Sequence, residues 1–415
     1  MTDFSLDRKI PVLDWSSCLA ACPQRMKSST IQQLFELTQR PDVISFAGGL
    51  PAPELFPLRE VEEACRYVIQ NEGQRALQYG SLEGLLPLRE FLADSMHKYG
   101  VPAVAGNVLL VNGSQQALDL IGKVFLDPGD FVITSRPTYL GAIQAWTVYG
   151  ARFQTVNLDD EGMVVDEVEE AYHKVVAECG RPPKFIYVLP NFHNPAGTTL
   201  PLERREKLAQ IVARLDLAVV EDDPYGALRF EGDDLPPIAT YAPERTIYLG
   251  TFSKTLAPGL RLGWLVCAEA LMHQFLMVKQ GADLNTGTFV QYVANDICQR
   301  GFLKPHVARM RQVYKERRDV MLDALAELWP ESCSWTHPQG GLFLWARVPE
   351  TIDTVSFLRN ALVEKVAYVP GVSFYPNEDG GHNAMRLNFS FSSPDQIVEG
   401  IRRLGVALKK ELGLP

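Results

Sequence analysis

Ile247-Tyr248-Leu249-Gly250-Thr251-Phe252-Ser253-Lys254 carries the pattern from which the fold is read. A short apolar run, rich in β-formers, ends abruptly in small polar residues and a lysine. The same grammar recurs through the middle of the chain. Val108–Val111 leads to Asn112-Gly113-Ser114, and residues 131–133 lead to Ser135-Arg136-Pro137-Thr138-Tyr139. Residues 185–189 lead to Asn191 and then to Asn194-Pro195-Ala196-Gly197. Residues 217–220 lead to Glu221-Asp222-Asp223-Pro224-Tyr225. Runs that are apolar on both faces and alternate with helical patterns predict an α/β fold with a mostly parallel sheet. Such sheets bind ligands beyond the carboxyl ends of their strands. Each polar cluster falls at such an end, so clusters distant in sequence are expected to converge.

Outside this region the grammar changes. Residues 304–328 read as a long, charged amphipathic helix and Gly340-Gly341-Leu342-Phe343-Leu344-Trp345 as a strand. Strands at 367–369 and 385–389 and a closing helix at 394–412 complete a smaller α+β unit. At the other end, 29–38 reads as a short helix stopped near Pro41. The expected organisation is an N-terminal arm and short helix over 1–47, a large domain over 48–296 and a small C-terminal domain over 297–415.

Composition narrows the function. The chain has 415 residues and a formal net charge of −10, without a Lys/Arg run. Nucleic acid and anionic membrane are therefore poor partners. The seven cysteines are scattered and form no C-x-x-C pair. They read as free thiols of a reducing compartment, with no metal site. The first residues lack the apolar core of a signal peptide, and no window is long and apolar enough to span a bilayer. The expected location is the cytoplasm.

Lys254 follows a buried strand. Partial desolvation there lowers an amine's pKa and frees a nucleophile, which aldehyde cofactors require. The hydroxyls of Thr251 and Ser253 and the guanidinium of Arg261 suit a phosphate. The same lysine, alone, also reads as a solvated side chain beside a helix cap. Asp222 ends an apolar strand, where a carboxylate needs a partner. A protonated pyridine nitrogen would serve, with Tyr225 in reach of the ring hydroxyl; an N-cap aspartate is the alternative. Ser114 opens a helix whose N-terminus suits a phosphate, and it also reads as a cap. Asn194 sits in a turn where its amide can be held over a ring oxygen. Tyr139 can stack on an aromatic ring or belong to the core. Arg386, within the apolar strand Ala384-Met385-Arg386-Leu387-Asn388-Phe389, wants a carboxylate from the protein or from a substrate.

Together these motifs resemble the class I/II aminotransferases of fold type I, and more closely the 2-aminoadipate and kynurenine aminotransferase group. The resemblance runs from Ile44-Ser45-Phe46-Ala47-Gly48-Gly49-Leu50-Pro51 to Arg386. It implies a seven-stranded type of sheet in the large domain and pyridoxal 5'-phosphate as cofactor. It implies that Lys254 binds the cofactor as a Schiff base and shuttles the proton. Asp222 then pairs the pyridine nitrogen, Asn194 and Tyr225 hold the ring oxygen, and Tyr139 stacks. Ser114, Gln115, Thr251, Ser253 and Arg261 bind the phosphate. Arg386 grips the substrate carboxylate, helped by Gly49. Tyr79 corresponds to the family tyrosine that reaches the neighbouring subunit's phosphate, which implies a homodimer with shared sites. The implied reaction passes the amino group of an L-amino acid, neutral, aromatic or 2-aminoadipate-like, to 2-oxoglutarate.

Two positions depart from the family pattern. Ala196 replaces the usual threonine, and Asn194 beside it is kept. Members that favour acidic side chains place an arginine after Ser-Thr-Ile, whereas Gln32 follows Ser29-Thr30-Ile31 here, with Arg25 nearby. An amide pairs a carboxylate less strongly than a guanidinium does, so neutral donors are expected to be preferred. Other outcomes on the same fold are β-elimination, decarboxylation and oxidation. Ligand-sensing regulators also carry this domain behind a DNA-binding module, for which the ~45 residues before Gly48 leave no room.

Overall fold

The computed structural model describes residues 13–26 and 42–414. The strands are β1 Ile44–Ser45, β2 Val108–Val111, β3 Phe131–Arg136, β4 Arg152–Asp159, β5 Gly162–Met163, β6 Phe185–Val188, β7 Ala218–Asp222, β8 Thr246–Thr251 and β9 Gly263–Val266, followed by β10 Ser334–Trp335, β11 Phe343–Arg347, β12 Val366–Ala367, β13 Val369–Pro370 and β14 Ala384–Asn388.

The central sheet has the order β2-β9-β8-β7-β6-β3-β4-β5. The joins from β8 through β7, β6 and β3 to β4 are parallel. The expected seven strands are present, and a two-residue eighth, β5, folds back antiparallel on β4. One central strand runs the other way. β9 lies between β2 and β8 and is antiparallel to both. The link from β8 to β9 is too short for a crossover, so the chain must reverse. That reversal, residues 252–262, carries Lys254 and Arg261.

Alternation along β6 shows why its run is apolar throughout. Phe185 and Tyr187 pack into one hydrophobic cluster with Val111, Leu118 and Trp146. Ile186 and Val188 pack into another with Val156, Leu208 and Val219. Both faces are covered by helices, among them Ser114–Phe125 on the first and Leu202–Leu215 on the second.

The C-terminal part holds a sheet of order β10-β11-β14-β13. The long helix Leu303–Leu328 and the closing helix Pro394–Glu411 pack against it through Met321, Leu325, Leu344, Leu387 and Ile401. The single strand expected at 367–369 is two. β12 pairs with β1 in parallel and β13 pairs with β14. Between them Tyr368 is fully buried and donates to the Thr354 carbonyl at 2.6 Å, which turns the chain from one partner to the next. The segment leading to Gly48-Gly49 is thereby anchored to the C-terminal sheet region. The expected helix at 29–38 lies outside the described residues. Among the described residues no helix is long and apolar enough to cross a membrane.

Candidate active site

The strand-end clusters do meet. They line one cavity of about 410 Å³, closed from the C-terminal side by Phe343, Val369, Phe374 and Arg386 and roofed by residues 47–50. Lys254, Asp222, Tyr139, Ser114, Gln115, Asn194, Tyr225, Thr251, Ser253, Arg261, Gly49 and Arg386 all line it. These were chosen from seven stretches of sequence, and the fold brings them together.

Lys254 sits just past β8, and its Nζ donates to the Gly49 carbonyl at 2.7 Å. Burial, with Arg386 and Arg261 nearby, lowers its pKa to about 8. A solvated lysine would show neither feature. Asp222 is the last residue of β7 and is buried. Its Oδ2 accepts from the Tyr187 hydroxyl at 2.7 Å, while Oδ1 is buried without a partner. Burial raises its pKa to about 7, against the Tyr187 hydrogen bond, which lowers it. Asp222 makes no capping bond; it is Asp223 whose Oδ1 accepts from the Gly226 N–H, at 2.8 Å, where the next short helix begins.

A phosphate-sized cradle lies between β2, its following helix and the β8–β9 link. Gly113, with φ +76°, is the cap residue of the helix Ser114–Phe125, and Ser114 makes no side-chain cap bond. The alternative reading of Ser114 as a cap is thus corrected: it is the first helical residue. A Cβ on Gly113 would stand 2.8 Å from Arg261 Nη2, and one on Gly263 would stand 2.8 Å from the Ser114 nitrogen. Only glycine lets the guanidinium and the helix start come this close. Arg261 Nη2 donates to the Asn112 carbonyl at 3.3 Å, and Thr251 Oγ1 accepts from the Ser253 N–H at 3.1 Å.

Arg386 lies in β14 beneath the Phe343 and Phe374 rings, at 4.2 and 5.0 Å from their centroids. It donates to Asn194 Oδ1 at 2.9 Å and to the Ala47 carbonyl at 2.6 Å. Among the described residues it has no carboxylate partner, and its Nε is buried and unpaired. Burial lowers its pKa to about 10, which still leaves it a cation. Asn194 Nδ2 approaches the Tyr225 hydroxyl at 3.5 Å, and burial pushes that phenol far up. Tyr139 donates to Gln115 Oε1 at 3.4 Å, and burial raises its pKa to about 12.

Two expected residues do not line the cavity, and a third cannot be placed against it. Arg25 does not line the cavity; its Nη1 donates to the Val148 carbonyl at 2.9 Å, so it is already committed to backbone. Tyr79 is 79 % exposed and does not line the cavity of its own chain. Gln32 lies outside the described residues. Tyr187, which holds Asp222, was not anticipated from the sequence. Its signal was a phenol inside a fully buried strand, where a hydroxyl must find a partner.

The arrangement fits a pyridine-ring cofactor with an aldehyde and a phosphate. An orphaned carboxylate oxygen awaits a cation, a low-pKa amine lines the same cavity, and so does a glycine-lined helix start with an arginine. Residues 41–404 match the class I and II aminotransferases, and the chain belongs to that family. It is 44 % identical to the aromatic-amino-acid aminotransferase 1 of Thermococcus litoralis, over 97 % of this chain and 96 % of that one. The solved kynurenine aminotransferase of Pyrococcus horikoshii, in complex with PMP, superposes with a TM-score of 0.92 at 42 % identity, covering 96 % of this chain and 98 % of the other. The α-aminoadipate aminotransferase of Thermus thermophilus, complexed with N-(5'-phosphopyridoxyl)-L-leucine, gives 0.89 at 41 % identity, covering 97 % and 100 %. The enzyme is an aminotransferase and pyridoxal phosphate is its cofactor.

Proposed function

We propose that the enzyme passes the amino group of a neutral, aromatic or 2-aminoadipate-like L-amino acid to 2-oxoglutarate in a ping-pong cycle. The observation that carries this reading is Arg386: a buried guanidinium, lacking any ion-pair partner among the described residues, in the same cavity as the Lys254 amine. A carboxylate that both oxo acids and amino acids possess would complete it.

Lys254 would hold the cofactor, Asp222 Oδ1 its ring nitrogen, Asn194 and Tyr225 its ring oxygen. Ser114, Gln115, Thr251, Ser253 and Arg261 would hold its phosphate, and Tyr139 would lie against the ring. Bound there, pyridoxal phosphate supplies the electron sink for charge developing at the substrate α-carbon. Arg386, helped by Gly49, orients the substrate by its α-carboxylate. Lys254 Nζ would be the base that takes the proton from the substrate α-carbon and holds it for return. An amine with a pKa of about 8 has a useful unprotonated fraction near neutrality. Asp222 would be held ionised by a ring cation, the opposite charge offsetting the burial that raises its pKa. The first half releases a 2-oxo acid, and the second consumes one.

The test is a panel of leucine, methionine, phenylalanine, kynurenine and 2-aminoadipate with 2-oxoglutarate, following glutamate. Glutamate should form in step with the donor's oxo acid. Ammonia or carbon dioxide in its place would overturn the reading. Neutral donors leading 2-aminoadipate would support the inference from Gln32. Arg386→Lys keeps the charge but loses the two-pronged grip. We expect kcat/KM to fall about 10- to 100-fold, the worth of one charge-assisted hydrogen bond, and equally for every donor. A loss confined to some donors would mean that Arg386 reads the side chain instead.

The proposal includes a homodimer, located in the cytoplasm, with domains divided near residues 48 and 297. Support for the dimer comes from exposed residues around Tyr79, itself 79 % exposed: Leu77 at 72 %, and Leu284 at 55 % next to Asn285, which lies against Gly80. Tyr79→Phe should weaken cofactor retention by about 1 kcal/mol if one hydrogen bond to the neighbour's cofactor is lost. A fully active monomer at assay concentration would exclude the shared site.

A further inference from the structure

Behind the phosphate cradle lies a buried ion pair with no place in the mechanism above. Lys279 and Asp283 stand one helical turn apart near the end of the helix Glu269–Asp283. Lys279 Nζ donates to Asp283 Oδ1 at 2.7 Å, and the two side chains are 0 % and 17 % exposed. The second carboxylate oxygen is also taken. Asp283 Oδ2 accepts from Asn112 Nδ2 at 2.7 Å and from Gln116 Nε2 at 2.8 Å. Gln116 closes the loop, because its Oε1 accepts from the Asn112 N–H at 2.7 Å.

These contacts bracket the turn Asn112-Gly113-Ser114. Asn112 precedes it, Gln116 lies just beyond it in the first helical turn, and Asp283 ties both ends. On the cavity side the same turn receives Arg261, which donates to the Asn112 carbonyl at 3.3 Å. The turn needs this support, since Gly113 sits at φ +76° and glycine alone does little to hold a backbone there. A carboxylate is the group for the place. Three side-chain donors converge on it, and only an ionised Asp or Glu accepts at both oxygens with nothing to donate. Lys279 neutralises a charge that would otherwise face a phosphate.

We propose that Asp283, held by Lys279, is a positioning residue for the cofactor phosphate: it fixes the Asn112–Gln116 turn so that the start of the helix and Arg261 meet the phosphate together. The inference rests on the phosphate assignment made above. Asp283→Asn is nearly isosteric but turns an acceptor into a donor. In either amide orientation an NH2 group then faces Lys279 or the two amides of Asn112 and Gln116.

The experiment compares binding of pyridoxal phosphate and of pyridoxal, which lacks the phosphate, to the full chain stripped of cofactor. In Asp283→Asn the affinity for pyridoxal phosphate should fall about tenfold or more, while pyridoxal binding stays within about twofold. Gln116→Met keeps both charges and should shift the same ratio in the same direction; it decides if Asp283→Asn does not fold. Arg261→Ala is the control for the assignment beneath. If Arg261→Ala collapses the discrimination between the two ligands and neither Asp283→Asn nor Gln116→Met alters it, the positioning role is wrong and the phosphate site stands. Equal weakening of both ligands makes Asp283 a residue of general stability and also overturns the proposal. If Arg261→Ala leaves the discrimination intact, the phosphate assignment itself fails, and the proposal with it.

Discussion

Lys254→Ala should reduce kcat by at least about 10⁴-fold. The substitution removes the covalent holder of the cofactor and the group that moves the proton, and a positioned acid–base group alone is worth about 10²–10⁴. Its place in the structure explains why no neighbour can stand in. Among the described residues the other cations that line the cavity are Arg261 and Arg386, and a guanidinium is not a usable base. Borohydride reduction of the wild type should fix a pyridoxyl group on the Lys254 peptide, and the variant should carry none. A label on another lysine, or turnover within tenfold of wild type, would sink the assignment. The loss should not be a folding defect. Among the described residues Lys254 contributes one hydrogen bond, to the Gly49 carbonyl, and truncation relieves the burial of an ammonium group.

Asp222→Asn should act in two opposite directions. Activity should fall about 10³-fold. Two unit charges about 4 Å apart at an effective dielectric of about 20 attract by ~4 kcal/mol, and an amide returns little of this to a ring cation. Stability of the cofactor-free protein should instead rise at pH 8. Oδ1 of Asp222 is buried without a partner, and burial lifts the pKa from 3.8 to about 7. A carboxyl raised in this way favours the folded state fully only below about pH 4. That contribution is lost as pH rises through about 7. Wild-type apoprotein should therefore lose thermal stability relative to the variant between those limits, and pyridoxal phosphate should restore it. Unfolding temperatures from pH 5 to pH 8, with and without cofactor, check both signs. A variant less stable than wild type at pH 8 would mean that Oδ1 finds a partner in the cofactor-free protein.

Much of the site was legible because the residues that make it interrupt strong patterns. A lysine, an aspartate or an arginine stands out at the end of an apolar strand or within one, as Lys254, Asp222 and Arg386 do. The strand ends also gave the convergence, since a parallel sheet places them on one edge. What escaped was set by tertiary pairing. β9 reverses direction only because the link that holds Lys254 is short, and no local signal in Gly263–Val266 shows it. The two-residue strands β1, β5, β10, β12 and β13 are too short to leave a periodicity. Tyr187 was hidden inside a run read only as apolar. Asp283 carried no signal of its own, because its role depends on Asn112 and Gln116, remote in sequence. Arg25 was attractive by its proximity to Gln32 along the chain, but Val148 holds it away from the cavity.

The pairing of β1 with β12 has a consequence for biosynthesis. Ile44 and Ser45 find their partners at Val366 and Ala367, and the Phe46 carbonyl accepts from the Asn388 N–H at 2.9 Å. During translation the segment bearing Gly49 stays without these partners until residues 366–388 have left the ribosome. The β2–β9 sheet can assemble well before that, with Lys254 and Asp222 already at its edge. A nascent chain would thus pass through a stage with the cofactor floor built and the roof missing, in which a small aldehyde can enter freely and the substrate grip of Arg386 does not yet exist. Loading at that stage would make the cofactor a participant in the last folding event, the closing of residues 44–50 over it.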